Sequence, residues 1–142
     1  MERLRRYPNY PLPAVGALIL NKEKILLVKR RFMPSAGKWS IPGGLIEVGE
    51  SLVEALKREV KEELNLEVKE YKFLDIVENI IKDEKGKVEY HFIIFNFLVK
   101  ATGEIKLNYE NSEYLWVNLE EVKNLDVTNT VKKLLERIFT NK

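Results

Sequence analysis

The chain has 142 residues, a formal net charge of +2 and 45% hydrophobic residues. This length suits one domain, residues 1–142, and the apolar content supports a packed core, which argues against intrinsic disorder. The sequence has no cysteine, which excludes disulfides, and no apolar run typical of a membrane span or a secretory signal. We therefore expect a soluble cytoplasmic protein that does not act at a membrane. The oligomeric state is left open, with a homodimer as one option.

The first third of the chain is predicted to contain a β-hairpin. Three prolines between residues 8 and 13 disfavour a helix and indicate an extended segment. Ala14–Leu20 and Ile25–Lys29 then have the composition of two strands, joined by a polar turn at 21–23. Proline and glycine at 32–38 predict a loop.

Basic residues cluster at two places in this part of the chain. We interpret Arg3, Arg5 and Arg6 as a solvated chain end. Arg30 and Arg31 instead come shortly before a glycine-containing segment, where they could steer or bind a polyphosphate. Neither cluster indicates specific binding to a nucleic acid.

A helix is predicted to begin near Leu52. The Pro-Gly-Gly segment at 42–44 permits a tight bend before it. Ser51 and Glu54 then have the S-x-x-E spacing of a capping box. Asn65 follows the last apolar residues of the helix and tolerates the left-handed conformation that ends many helices.

Three glutamates crowd one sector of this helix. Glu59 and Glu63 are one turn apart, and Glu62 lies between them on a neighbouring face. Carboxylates at this density suit a hard divalent ion such as Mg²⁺ or Mn²⁺. A solvated face of salt bridges is the alternative, because the chain is rich in lysine and glutamate.

The second half is predicted to supply more strands and a terminal helix. Val68–Ile80 and Val88–Val99 are expected to form a long antiparallel pair around a turn at 83–86. Two short strands and two helical segments follow: Ile105–Leu107, Tyr114–Val117, Leu119–Val122 and Val131–Phe139. Strands flanked by two helices predict an α/β protein, an α/β/α sandwich with a mixed β-sheet between helices.

The full pattern G-x5-E-x7-R-E-V-x-E-E-L-N-L, from Gly44 to Leu66, resembles the signature box of the Nudix hydrolases. Asn65 departs from the pattern, since the box normally has glycine there. The segments Trp39–Gly44 and Glu113–Val117 are also similar to this family. The resemblance implies the Nudix-type α/β/α sandwich and metal-dependent hydrolysis of a pyrophosphate linkage.

The resemblance also implies roles for the residues of the box. The ion, Mg²⁺ or alternatively Mn²⁺, would be bound by one set of donors: Glu59, Glu62, Glu63 and the carbonyl of Gly43. Glu50 and Arg58 look like the internal ion pair of the family, which would hold the loop against the helix and orient Glu59 for catalysis.

Other catalytic and substrate contacts are expected outside the helix. Many Nudix enzymes have a general base on a distal loop, where Glu110 is the preferred candidate and Glu113 the reserve. If neither acts, Glu59 is the base. Trp39 and Gly44 are expected to line the substrate cleft, because they flank the box loop, and packing in the core or a loop is the alternative for Trp39.

The expected partner is a nucleotide-type small molecule. The resemblance is to the small ADP-ribose pyrophosphatase-like group, although Ile81 and Lys82 occupy the neighbourhood where such enzymes often have a proline. A (d)NTP pyrophosphohydrolase that cleanses oxidised nucleotides is the alternative enzyme. A non-catalytic nucleotide-sensing domain is an alternative of another class, but the intact set of three glutamates argues against it.

Overall fold

Seven strands form a mixed sheet in the computed structural model, which describes residues 5–140 and the side chains of residues 5–138. Strands β1 to β7 span Leu12–Asn21, Lys24–Arg30, Trp39–Ser40, Gly43–Leu45, Glu67–Lys82, Val88–Thr102 and Asn111–Val117. The order is β3-β2-β1-β6-β5, with β4 also paired to β1 and β7 to β2. Only the β1–β6 pair is parallel within the described residues.

Three helices with fully described bounds accompany the sheet. Helix α1 spans Leu52–Leu64, α2 spans Leu119–Val122 and α3 spans Asn129–Thr140. The start of α1 at Leu52 and the short helix α2 agree with the sequence prediction. Helix α3 begins earlier than predicted, because the hydroxyl of Thr128 accepts a hydrogen bond from the backbone N–H of Val131 at 3.4 Å. No described helix has the length and apolarity needed to cross a bilayer.

Alternating side chains of the central strands build a core on each face of the sheet. One core joins α1 to alternate strand residues, including Val15, Ala17, Ile19, Leu26 and Val28. The other joins α3 to the residues between them, including Leu18, Ile25 and Leu27. Because successive side chains of a strand point to opposite faces, each strand contributes to both cores. This arrangement is the predicted α/β/α sandwich.

The predicted hairpin and the long antiparallel pair are present. Strands β1 and β2 pair through Leu20 with Ile25, and β5 pairs with β6 along nearly their whole length. The predicted strand Ile105–Leu107 is wrong. Its backbone instead bonds to the end of α1, where Lys106 N donates to the carbonyl of Leu64 at 3.0 Å. The carbonyl groups at the C-terminus of α1 have no partner within the helix. They therefore accept hydrogen bonds from backbone N–H groups that would otherwise pair with a neighbouring strand.

Gly43 and Gly44 of the Pro-Gly-Gly segment lie in the short strand β4, and the bend that the sequence predicted is confined to Pro42. Gly43 and Gly44 pair with Gly16 and Val15 of β1, and neither glycine has a positive φ. A Cβ atom on Gly43 would overlap the carbonyl oxygen of Val15. Glycine is needed here because two backbones approach closely, and composition alone does not distinguish that reason from a turn.

Asn65 ends α1 in the predicted left-handed conformation, with φ 62° and ψ 24°. Its backbone N–H donates to Lys61 O, and its side chain donates to Glu104 O at 3.2 Å. We expect Asn65→Gly to change the free energy of unfolding little, because glycine accepts this φ at the loss of one exposed hydrogen bond. Asn65→Val should destabilise the protein by about 1 kcal/mol or more, because a β-branched residue disfavours the left-handed backbone conformation. Urea unfolding of both variants measures this difference, and equal stabilities would contradict it.

Candidate active site

Arg58 of α1 ties the loop before the helix to the helix itself. Its Nε and Nη2 donate to the two carboxylate oxygens of Glu50 at 2.6 and 2.9 Å. Nη2 also donates to Leu45 O at 3.0 Å, and Nη1 donates to Glu59 Oε1 at 2.7 Å. The bonds from Arg58 and from the backbone N–H of Glu47 lower the pKa of Glu50. The structure thus brings Glu50, Arg58 and Glu59 into one network, as the resemblance implied.

Glu59 is buried against the glycine strand. Glu59 is 8% exposed. A Cβ atom placed on Gly44 would lie 2.5 Å from the carboxylate carbon of Glu59. Gly44 is therefore required by the close approach of this side chain. Burial raises the pKa of Glu59, and the hydrogen bond from Arg58 opposes that rise.

Glu63 is the most deeply buried of the three helix carboxylates. It is 4% exposed, and its oxygens accept from Gly43 N at 2.7 Å and from Asn111 Nδ2 at 3.0 Å. Burial, and then the charges of Glu59 and Glu110, raise the pKa of Glu63 to about 8. The sequence analysis missed Asn111. A signal was available, because asparagine is uncommon inside strands and often marks a specific polar contact.

The predicted metal donors are neighbours, but their carboxylates face protein groups. Glu62 has a side chain 54% exposed and contacts Arg58 at 3.2 Å, while Glu59 also faces Arg58. Within residues 5–140, no three acidic, cysteine or histidine side chains converge on a common point for a metal ion. The donor set nevertheless fits a hard divalent cation chemically, because it offers only oxygens and its charges repel one another at Glu63.

The two candidates for the distal base lie in different environments. Glu110 is half-buried, and its charge contributes to the raised pKa of Glu63. Its backbone N–H donates to the side chain of Asn108 at 3.0 Å, which fixes the turn that carries it. Glu113 is exposed and pairs with Lys29 at 3.6 Å. The geometry therefore places Glu110, rather than Glu113, beside the helix carboxylates.

A cleft adjoins these carboxylates. The residues that line it include Arg5, Arg30, Lys38, Gly43, Gly44, Asn96, Glu110 and Thr128. Arg30 donates from Nε to Pro34 O at 2.8 Å. Burial lowers the pKa of Arg30, and the charges of Glu63 and Glu110 oppose this effect. Arg30 therefore lines the cleft as a half-buried cation, and its phosphate contact remains a prediction.

Two predicted substrate contacts lie elsewhere. Arg31 is exposed, and it contacts the site only through its backbone N–H, which donates to Glu110 O at 3.0 Å. Trp39 packs against the α3 core, with Lys29 Nζ 5.8 Å from its ring centre. Neither is among the described residues that line the cleft. Trp39 points to the opposite face because it pairs with Lys29 rather than with Arg30.

The raised pKa of Glu63 predicts a pH dependence of stability in metal-free protein. Between its ordinary pKa of 4.5 and its folded pKa of about 8, the folded state binds more protons than the unfolded state. The free energy of unfolding should therefore fall as pH rises through this range. Chemical unfolding in EDTA at several pH values measures the slope.

Glu63→Gln should flatten this slope, whereas the matched control Glu62→Gln should keep it, because the side chain of Glu62 is exposed. The side-chain oxygen of glutamine can still accept from the backbone N–H of Gly43. Its NH₂ group can donate to Asn111 Oδ1 if the Asn111 side-chain amide flips. An unchanged slope in Glu63→Gln would contradict the assignment of the pH dependence to Glu63.

Comparison with known proteins adds to this geometry. A family model described as the NUDIX domain matches residues 10–138. An ADP-ribose pyrophosphatase of Methanocaldococcus jannaschii is 34% identical over 125 residues, covering 86% of this chain and 72% of that protein. The nucleoside triphosphatase NudI of Escherichia coli is 34% identical over 131 residues, covering 85% of this chain and 92% of that protein.

A solved structure agrees with the family assignment. The crystal structure of a MutT NUDIX hydrolase from Burkholderia pseudomallei superposes with a TM-score of 0.78 at 27% sequence identity. The match covers 90% of this chain and 98% of that one. The similarity therefore extends over most of the fold.

Proposed function

Because the chain belongs to the Nudix hydrolases, enzymes that cleave phosphorus-containing anhydrides, we propose that it hydrolyses the pyrophosphate linkage of a nucleoside diphosphate derivative, with an ADP-ribose-like compound favoured. The observation that carries the proposal is the position of Glu59 and Glu63 against the glycine strand, with Arg30 lining the adjoining cleft. This arrangement combines a carboxylate cluster for a cation with a cationic contact for phosphate.

Nudix hydrolases generally depend on a divalent metal ion, and the proposed ion is Mg²⁺, with Mn²⁺ as the alternative. Glu59, Glu62, Glu63 and the carbonyl of Gly43 would hold it. When bound, the ion neutralises phosphate charge and lowers the pKa of water. The predictions of a single domain, a cytoplasmic location and a homodimer remain predictions.

The residues of this chain have distinct tasks in the proposed reaction. Arg30 binds a phosphate oxygen and orients the diphosphate. Glu110 accepts a proton from the attacking water, whose oxygen forms a new bond to phosphorus while the bridging P–O bond breaks. Arg58 and Glu50 position Glu59 and do not contact the reacting atoms. With ADP-ribose the products are AMP and ribose 5-phosphate.

The similarity to NudI supports a second candidate, a nucleoside triphosphate pyrophosphohydrolase. This activity would use the same groups, because a triphosphate offers the same anhydride chemistry. Its products would be a nucleoside monophosphate and pyrophosphate.

A substrate panel separates the candidates. Purified protein is incubated with ADP-ribose, other nucleoside diphosphate sugars, and normal and oxidised (d)NTPs, each with Mg²⁺ or Mn²⁺, and the products are identified by chromatography. The proposal expects the highest kcat/KM for ADP-ribose or a close relative, because that ratio measures discrimination between substrates. A higher value for a triphosphate would replace it with the second candidate. Absence of turnover on the whole panel would favour the sensing domain.

A further inference from the structure

Residues 5–7, which precede β1, are held against one end of the long β5–β6 hairpin. Tyr7 N donates to Glu89 O at 2.7 Å, and Tyr7 OH donates to Asp83 Oδ2 at 2.7 Å. Arg6 forms an ion pair with Glu89 at 2.7 Å, and Lys87 Nζ lies 4.9 Å from the centre of the Tyr7 ring. Arg5 and Arg6 therefore belong to a segment bonded to the hairpin rather than to the solvated end that the sequence predicted, and Arg3 of that cluster lies outside the described residues.

The attachment directs Arg5 toward the cleft. Arg5 is half-buried, and it lines the cleft together with Arg30 and Lys38. Its neighbour Arg6 is exposed and points to Glu89 instead. The two adjacent arginines therefore differ in direction, and only Arg5 faces the site.

The charge around Arg5 favours an anion. Among residues 5–140, no carboxylate forms an ion pair with Arg5. Arg5 also lies close enough to Arg30 for its charge to disfavour the protonated guanidinium there. Arg5 and Arg30 both line the cleft, and their like charges favour a bound anion there in addition to the charges of Glu63 and Glu110 that already act on Arg30.

We propose that Arg5 is a substrate-binding residue that, together with Arg30, contacts a phosphate group of the substrate. This inference rests on the proposed function, because it takes the diphosphate of the substrate as the anion. A guanidinium suits this role, since its planar N–H groups can form two parallel bonds to phosphate oxygens.

The test compares Arg5→Gln with the matched control Arg6→Gln, which removes the same charge one residue away. We expect Arg5→Gln to raise KM for the best substrate by about tenfold or more while kcat changes less than about threefold. Arg6→Gln should leave KM within about twofold of the wild-type value, because the hydrogen bonds from Tyr7 to Glu89 and to Asp83 remain. Arg5→Lys should restore part of the affinity, which a purely structural role would not predict.

Each outcome bears on the inference. An unchanged KM in Arg5→Gln, or an equal rise in both glutamine variants, would overturn it, since the second result would indicate only a general effect of net charge. The same test applies if the favoured substrate is a triphosphate, because a triphosphate also provides phosphate groups that Arg5 can contact. If no substrate is turned over, calorimetric titration with pyrophosphate in the presence of Mg²⁺ replaces kinetics. Weaker binding only in Arg5→Gln would then support the contact, and equal binding would overturn it.

Discussion

Replacing Glu63 by glutamine is expected to lower kcat by at least about a hundredfold while the protein remains folded. The substitution preserves size and removes the charge of a carboxylate that is 4% exposed and faces Gly43 and Asn111. We expect folding to persist because glutamine can bond to both partners. Steady-state rates at saturating Mg²⁺, together with circular dichroism, measure both effects.

The matched control for Glu63→Gln is Glu67→Gln, at an exposed position at the start of β5. This variant should keep the wild-type rate. Near-normal turnover of Glu63→Gln with saturating metal would contradict the assignment of Glu63 to the metal site.

The second large effect is expected at Glu110. If Glu110 accepts the proton of the attacking water, Glu110→Gln should lower kcat by about 10² to 10⁴ with KM and metal affinity close to wild type. Glu113→Gln is the matched control, because Glu113 is exposed and pairs with Lys29 on the other face of the strands. It should have a much smaller effect.

Rates of the two distal variants on the best substrate decide between the candidate bases. A large loss only in Glu113→Gln would transfer the role to Glu113, against the geometry. Loss at neither position would leave Glu59 as the base, so that α1 would supply both metal ligands and the proton acceptor.

The parts of the site that local spacing determines could be predicted from the sequence. The capping box of Ser51 and Glu54 and the left-handed Asn65 depend on residues within one helix, and both are present. The pairing of Glu50 with Arg58 was implied by the resemblance to the signature box, and it is present.

The remaining features depend on contacts between distant segments. Asn111 meets Glu63 from 48 positions away, and Arg5 lines the cleft from a segment whose Tyr7 bonds to the β5–β6 hairpin. No periodicity within a short window encodes such contacts. Trp39 shows a different limit, because its proximity to the box in sequence did not reveal which face of the sheet it would occupy.

The guanidinium of Arg58 has five N–H groups, and the structure provides an acceptor for each. These acceptors are both oxygens of Glu50, the carbonyl of Leu45, and one oxygen each of Glu59 and Glu62. Lysine has three N–H groups and no planar fork, so Arg58→Lys is not a conservative change here. Since all five bonds share one group, substitutions at Glu50 and Arg58 remove overlapping interactions. Their energetic effects therefore cannot be summed, and the network behaves as one unit.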